Sequence, residues 1–565
     1  MGKLVKLGDF STLTEVVLNN TGKKSIEDLN GKKYYYVKNV KEVAKRIKEA
    51  VQEKKKIFVF GDYDADGITA TAIMVKSIKS LGGIVEWETP TRPDGFGLSL
   101  KAVDHAINLN CDILITVDNG ITAVDQVAYA KEKGLEVIVT DHHLPREDGK
   151  LPETNLIVNA HLPGSDYTEY CGAGIAYLIA RELISEDKTL LAKLSCFAAI
   201  GTVADVVCLL EENRQIVIEG LKNMVSYGKR TTGLYAILKA AGFDYRITAH
   251  DIAFSIGPMF NAPGRLLADG AKEVVEAILY DGAYNKRAEE IGEKMVEYNE
   301  KRKKLAAECM QATYRNISDN CLFTDYPLII YEPSIPEGMV GLIAGRIAEE
   351  RKVPTIIMTN DSEEGILKGS GRTECGVHLK NLLDICKDKL VKYGGHAEAC
   401  GLSLKEEDFD DFVTLMQENV PEKVINADDN VYYQYKAKIS EIDALLEELE
   451  KLEPFGEGNP RPIVYIEDFQ LSPRTGASYK ILGENGDHIK LFGNNLDAIV
   501  FNAAQKYIDM KEPSKLNIVG TLSRKYFMGH YANQIEVSYM EASKNVVGKT
   551  LLAQKLEAMA KKRNL

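Results

Sequence analysis

Short apolar runs alternate with amphipathic stretches through the first part of the chain. Residues 57–60 (IFVF), 84–87 (IVEW), 113–117 (ILITV) and 137–140 (VIVT) are brief and rich in β-branched side chains. Three are almost wholly apolar, as strands buried on both faces are. Between them, "GITATAIMVKSIKSLGG" and "GITAVDQVAYAKEKG" carry helical spacing. Val40, Val43, Ile47 and Val51 form a helical stripe just ahead. Strand and helix at this rhythm predict an α/β fold built on a doubly wound parallel sheet. The pattern turns helical after "LIVNA", with "GAGIAYLIARELI" and "LLAKLSCFAAIGTVADVV". A polar helix follows, with Ile291, Met295, Tyr298, Leu305 and Cys309 on one face; a spacer between domains is its simplest role. "PLIIYEP", "PTIIMTN", "GILKGSGRT" and "EACGLSL" read as strands of a second, smaller α/β unit around the helix "GMVGLIAGRIAEER". Beyond Asn426 a helix, the turn-rich "PFGEGNPRP" and short strands predict a small β-barrel. The expected divisions are an N-terminal extension (1–50), a first domain (51–283), a connecting helix (284–315), a second domain (316–425), a barrel (426–545) and a C-terminal helix or tail (546–565).

Length supports this division, because 565 residues exceed what one core holds. No apolar stretch reaches bilayer-spanning length and none heads the chain as a secretory signal, so neither membrane nor export is expected. Nine cysteines without a CxxC pair argue against a zinc ribbon or a disulfide framework, and fit a reducing cytoplasm. The net charge of -13 disfavours broad, nonspecific binding to nucleic acid. A local basic groove on an acidic body is still compatible with it.

Ligands of a doubly wound sheet bind beyond the carboxyl ends of its strands. The first strand ends in Asp62, Asp64 and Asp66, the third in Asp118, and the fourth in Asp141, His142 and His143. Asp205 closes the apolar helix "CFAAIGTVADVV". Alone, "DYDADG" would be a solvated turn or an N-cap, and "DHH" a helix start. Together they form a carboxylate cluster that cannot be fully ionised without cations. Oxygen ligands with imidazole suit Mn²⁺ or Mg²⁺. Two such ions about 3.5–4 Å apart clamp a phosphoryl group and activate water, and Asp118 is the natural bridge between them. In "GSGRT", Arg372 sits in what reads as a Gly-flanked turn suited to an anion. In the barrel, Tyr479, Lys480, Lys490, Phe492, Arg524, Lys525, Tyr526 and Phe527 could track a single strand, or be ordinary core and solvated lysines.

"DYDADG", "VDNG", "DHH" and "GTVAD", in this order, resemble the DHH phosphoesterase superfamily. "NAPGR", "GRIAEER", "GSGRT" and "GGHAEACGLSL" are similar to its companion DHHA1 domain. "GDYDADGITATAIM", "GTVADVVCLLEENR" and "LEPFGEGNPRP" resemble the RecJ family of single-strand-specific 5′→3′ exonucleases. The first 35 residues, "PTRPDGFG" and "NAPGR" depart from the commoner family pattern.

The resemblance implies Asp64, Asp66, Asp118, His142 and Asp205 as metal ligands, with Asp118 bridging. It places His143 near a metal or the scissile phosphate and Asp141 behind an imidazole, and leaves Asp62 undecided. Arg92, Ser370 and Arg372 become the pocket for a 5′-phosphate. Asn261 and Arg265 become backbone contacts, and His396 a group facing the cleft. The barrel becomes an OB-like domain. The implied cofactors are two divalent cations, Mn²⁺ or Mg²⁺. The implied partners are single-stranded DNA and either a single-strand-binding protein or a repair helicase, with the enzyme itself a monomer. The rival readings are a DHH phosphodiesterase of short oligonucleotides or dinucleotides, and a catalytically inactive scaffold.

Overall fold

A computed structural model describes residues 3–543, except 32, 92–94, 96, 227, 244–245, 422–429, 475, 484–485 and 528–529. The expected C-terminal helix and Arg92 lie outside the described residues, as does the side chain of Phe527. Among the described residues, no helix is long and apolar enough to cross a membrane.

The first domain is a five-stranded, all-parallel sheet. In spatial order its strands are Ile84–Glu88, Lys56–Phe60, Ile113–Val117, Glu136–Thr140 and Ile157–Val158. The three central strands are buried and apolar because helices cover both faces. Ile84–Glu88 lies at an edge and is correspondingly more exposed. From Lys56–Phe60 the chain crosses first to one neighbour and then to the other. The strand order therefore reverses between Lys56–Phe60 and Ile113–Val117, which leaves a crevice at their carboxyl ends. Helix Val40–Gln52 packs into this domain's core through Val43, Ala44, Ile47 and Ala50.

The connecting helix runs Lys286–Asp319 and buries Met295, Asn299, Arg302, Ala306, Cys309, Thr313 and Ile317 along one face. The second domain is a five-stranded mixed sheet with Ile366–Arg372 at its centre. This position agrees with the strand read in "GILKGSGRT" and corrects the reading of its end, "GSGRT", as a turn. It is the end of a central strand, and Gly369 and Gly371 are there for packing: a β-carbon on them would meet Met358 Sδ at 2.1 Å and Cys400 Sγ at 2.6 Å. The C-terminal domain is a single seven-stranded sheet. Residues at the start of the chain join it: Leu4–Lys6 pairs in parallel with Val431–Tyr433, and Leu13, Val17 and Leu29 enter its core.

Candidate active site

The carboxyl ends of the three central strands carry the predicted acids to one point. Asp62 and Asp118 are 2% exposed and Asp141 is 1% exposed. Asp64 caps helix Ala65–Ser80, its Oδ1 accepting from the amides of Asp66 and Gly67 at 3.0 Å. The capping and metal readings of this loop are thus compatible, since one oxygen caps and the other is left for a ligand. Asp66 accepts from the first amides of another helix: Gly172 N–H donates to Oδ2 at 2.6 Å and Ala173 N–H to Oδ1 at 2.8 Å. Those amides carry the positive end of helix Gly172–Leu183, which favours a carboxylate. Asp118 adopts φ 62°, a left-handed conformation costly for a non-glycine residue and frequent at functional sites.

His142 Nε2 stands 3.2 Å from Asp118 Oδ1, 3.6 Å from Asp205 Oδ2 and 3.9 Å from Asp66 Oδ2. Three overlapping groups place their ligand atoms within 4.8 Å of one another: Asp62, Asp64 and Asp118; Asp66, His142 and Asp205; and Asp118, His142 and His143. Asp118 and His142 each belong to two of them. The buried Oδ1 of Asp118 accepts no hydrogen bond, a cost that a cation removes. The donor set therefore fits hard divalent cations, which these carboxylates and His142 could hold. Asp62, which the motif left undecided, belongs to one of the three groups.

The electrostatics agree. Burial, reinforced by neighbouring carboxylates, holds Asp62 and Asp118 well above the ordinary carboxyl range. Burial and then Asp66 raise Asp64, and the same two causes push Asp205 up to about 9. Burial pulls His142 down, toward the neutral imidazole that ligates metals. His143 differs. Burial opposes its charge, yet the hydrogen bond and charge of Asp141 raise it to about 9. Asp141 Oδ1 lies 2.8 Å from His143 Nδ1 and also accepts from the amides of His142 and His143, while Oδ2 accepts from Ile121 N–H at 2.8 Å. Burial would raise Asp141 too, but these bonds hold it below the ordinary range. Asp141 thus orients His143 and ties the "VDNG" loop to "DHH".

Three glycines make the cluster possible and were not singled out in the sequence. A β-carbon on Gly172 would lie 2.4 Å from Asp118 Oδ1, on Gly201 2.4 Å from Asp66 Oδ1, and on Gly67 2.5 Å from Asp62 Cβ. The available signal was glycine inside otherwise helical, apolar patterns, which marks close approach.

From Asp64 a cleft of about 720 Å³ opens between the two α/β domains, lined among others by Tyr63, Asn261, Arg265, Ser370 and Arg372. Alternation along Ile366–Arg372 puts Lys368, Ser370 and Arg372 on the half-buried face, toward this cleft. Lys368 is a member that motif reading missed, and alternation alone would have found it. Arg372 Nη1 donates to Ser370 Oγ and Gly371 O at 2.7 Å, and Ser370 Oγ donates to Cys400 O. Arg265 Nη1 reaches Gly338 O at 3.1 Å, joining the two domains at the cleft wall. Asn261 Oδ1 is buried without a hydrogen-bond partner. His396 is exposed in the turn between Lys392–Gly395 and Ala399–Lys405, and is not among the residues lining this cleft.

Models of three families match the chain: the DHH family N-terminal domain at residues 56–202, the DHHA1 domain at 325–422 and the RecJ OB domain at 433–539. The single-stranded-DNA-specific exonuclease RecJ of Haemophilus influenzae is 32% identical over 534 residues, covering 89% of this chain and 90% of that protein. The Bacillus subtilis RecJ is 31% identical over 503 residues, 86% of this chain but 62% of the longer relative. The crystal structure of RecJ in complex with Mn²⁺ from Thermus thermophilus superposes with a TM-score of 0.77 at 27% identity, covering 97% of this chain and 80% of that one. The same fold thus holds Mn²⁺ in a relative, and the chain belongs to the RecJ family of DHH–DHHA1 proteins carrying an OB domain.

Proposed function

We propose that the protein is a metal-dependent exonuclease that hydrolyses single-stranded DNA from its 5′ end to mononucleotides, serving DNA repair and recombination in the cytoplasm. The observation that carries this reading is one continuous surface. Ligand groups sharing Asp118 and His142 open at Asp64 into a cleft whose far wall presents Ser370 and Arg372. Asp64, Asp66, Asp118, His142 and Asp205, with Asp62 beside them, would hold two divalent cations, Mn²⁺ or Mg²⁺. Bound there, such cations supply Lewis-acid activation of water and charge stabilisation at phosphorus.

The chain's own groups do the rest. Arg372 and Ser370 engage the terminal phosphate through a charged fork and a hydroxyl. Asn261 and Arg265 hold the backbone beside the cut. His143, kept charged by Asp141, places an N–H donor toward the developing oxyanion. A monomer suffices for these roles, with a single-strand-binding protein or a repair helicase presenting the substrate.

The test uses strands labelled at either end, with and without a 5′-phosphate, incubated with the protein and Mn²⁺. Mononucleotides released first from the 5′ end are expected. Release confined to the 3′ end, or cleavage of dinucleotides alone, overturns the reading.

A further inference from the structure

The turn that carries Asp118 is built against its own preferences. Asp118 lies at φ 62° and Gly120 at φ 109°. A β-carbon on Gly120 would also meet Thr116 Oγ1 at 2.5 Å, so the turn needs glycine there. A non-glycine residue in the left-handed region persists where its surroundings over-determine it. On the side of Glu136–Thr140 two bonds do this. Asp118 N–H donates to Thr140 O at 3.0 Å, and Ile121 N–H to Asp141 Oδ2 at 2.8 Å. On the other side the ladder to Lys56–Phe60 ends at the pair Phe60 and Thr116. Past that pair, the side chain of Asn119 spans the crevice.

Asn119 is fully buried. Its Nδ2 donates to Val117 O at 2.9 Å and to Gly61 O at 3.0 Å, with Phe60 O at 3.4 Å. Three carbonyl oxygens this close settle which end of the amide is nitrogen. Its Oδ1 is buried and accepts no hydrogen bond. An unpaired buried oxygen costs stability, so the amide stands here for its N–H donors. The two nearer acceptors explain why. The Gly61 carbonyl belongs to the peptide that leads into Asp62, and the Val117 carbonyl to the peptide that leads into Asp118. One NH₂ group thus holds both, although Gly61 is 58 residues from Asn119 in sequence. Gly61 has no room to follow a shift: its N–H donates to Glu88 O at 2.9 Å, and a β-carbon on it would collide with Thr71 Oγ1. Asn459 shows the same pattern elsewhere. It is fully buried, its Nδ2 donates to Leu452 O at 3.2 Å and Pro454 O at 2.7 Å, and its Oδ1 is unpaired. There both acceptors lie within seven residues, so the amide shapes one local turn. Asn119 uses the device between two loops whose carboxylates place ligand atoms within 4.8 Å of one another.

We propose that Asn119 is a positioning residue of the metal centre: its amide sets the gap between the loop of Asp62 and Asp64 and the turn of Asp118, and so the spacing of the cations held between them. This rests on the metal-dependent function proposed above and adds the group that fixes the distance between its ligand loops. Asn119 touches neither substrate nor cation. It acts through the two peptides that aim the carboxylates, as groups behind metal ligands do.

The experiment uses the full chain loaded with Mn²⁺, as wild type, Asn119→Ala, Asn119→Ser and Asn459→Ala. Electron paramagnetic resonance reads the magnetic coupling between neighbouring Mn²⁺ ions, which depends steeply on their separation. A coupled pair is expected in the wild type. In Asn119→Ala the coupled signal should give way to that of isolated Mn²⁺, and kcat on single strands should fall by about 10–100-fold with KM unchanged. Asn119→Ser has one proton for two carbonyls and should fall between. Asn459→Ala should lower the Tm yet keep the wild-type coupling. The proposal is overturned if Asn119→Ala keeps the wild-type coupled signal. It is overturned equally if Asn459→Ala loses that signal too, because general loosening then explains both. If Asn119→Ala does not fold, Asn119→Ser decides by the same signal. If that variant also melts below the assay temperature, Asn119 is architectural and the proposal falls. A wild type that shows no coupled pair strikes the two-cation reading itself, and this inference with it.

Discussion

The segment that carries Asp205 continues within a few residues into Glu211–Arg214, and the two ends of this short stretch treat buried charge in opposite ways. At Asp205 like charges are gathered without enough partners, and burial pushes the carboxyl to about 9. At the other end every charge is hydrogen-bonded. Glu212, 1% exposed, accepts from Arg181 Nη2, Tyr170 Oη and the amide of Tyr35. Arg214 is fully buried and donates to Asn30 Oδ1 and to the carbonyls of Leu452, Glu453 and Pro454. Burial brings its pKa down to about 10, which still leaves it charged. The first arrangement is poised for cations. The second joins the N-terminal segment, the first domain and the C-terminal domain into one knot. Charge withdrawn from water thus serves chemistry where charges are alike and architecture where they are satisfied.

The largest effect that would test this contrast is at Asp118. Asp118→Ala should lower kcat by about a thousandfold or more and abolish tight Mn²⁺ binding in calorimetric titration. In metal-free buffer it should raise the Tm, because a buried repelling carboxylate has been removed. A lowered metal-free Tm would break the comparison. Arg214→Met should do the reverse. It withdraws the guanidinium donors from four acceptors and costs about 3–5 kcal/mol in denaturant unfolding, while Mn²⁺ binding to the protein that remains folded is retained.

Asp141→Asn sharpens the picture within the site. Activity should fall about 10–100-fold, and the alkaline limb of the pH–rate profile should move down from near pH 9 as His143 loses the carboxylate that keeps it charged. Arg372→Ala should weaken the preference for a 5′-phosphate by about tenfold, the order expected for one charge-assisted hydrogen bond, with Mn²⁺ affinity unchanged. Competition between phosphorylated and unphosphorylated strands measures it.

The smallest effect is a gradient. Asp62, Asp64, Asp118 and Asp205 are raised in the folded state. Their contribution to metal-free stability is therefore complete at pH values below the unfolded carboxyl range. It is lost as pH rises through the folded values, at about 1.4 kcal/mol per unit for each proton released. Mn²⁺ binds the deprotonated groups. The Tm gain on adding it should accordingly grow from pH 6 to pH 8, and a constant gain would show that the cluster is already ionised without metal.

Much of this was legible in the residues. Apolar runs located the central strands, and the acids at their ends pointed to the buried cluster at the sheet's rim, because a doubly wound sheet exposes its switch point there. The alternation in Ile366–Arg372 carried Lys368 into the cleft, although the motif's glycines misled toward a turn. Other assignments needed neighbours distant in sequence. Asp62 and Asp66 are equally acidic and lie in one loop. Only the fold showed Asp66 gripped by the amides of Gly172 and Ala173, and Asp62 packed beside Asp118. The partner of Asp141 proved to be His143, a choice set by ring orientation.

The sequence by itself determined which chemistry the chain carries: the carboxylates, imidazoles and guanidiniums, and the periodic elements that lead to them. Periodicity and residue type are local properties, readable over a few turns. Tertiary structure decided which oxygen atoms face one another across less than 5 Å. It also decided which glycines leave them room, and that residues 4–31 belong with a domain more than four hundred residues away. Those outcomes depend on packing between segments that share no local signal, and on burial, which alone turns a cluster of ordinary aspartates into a site that favours cations.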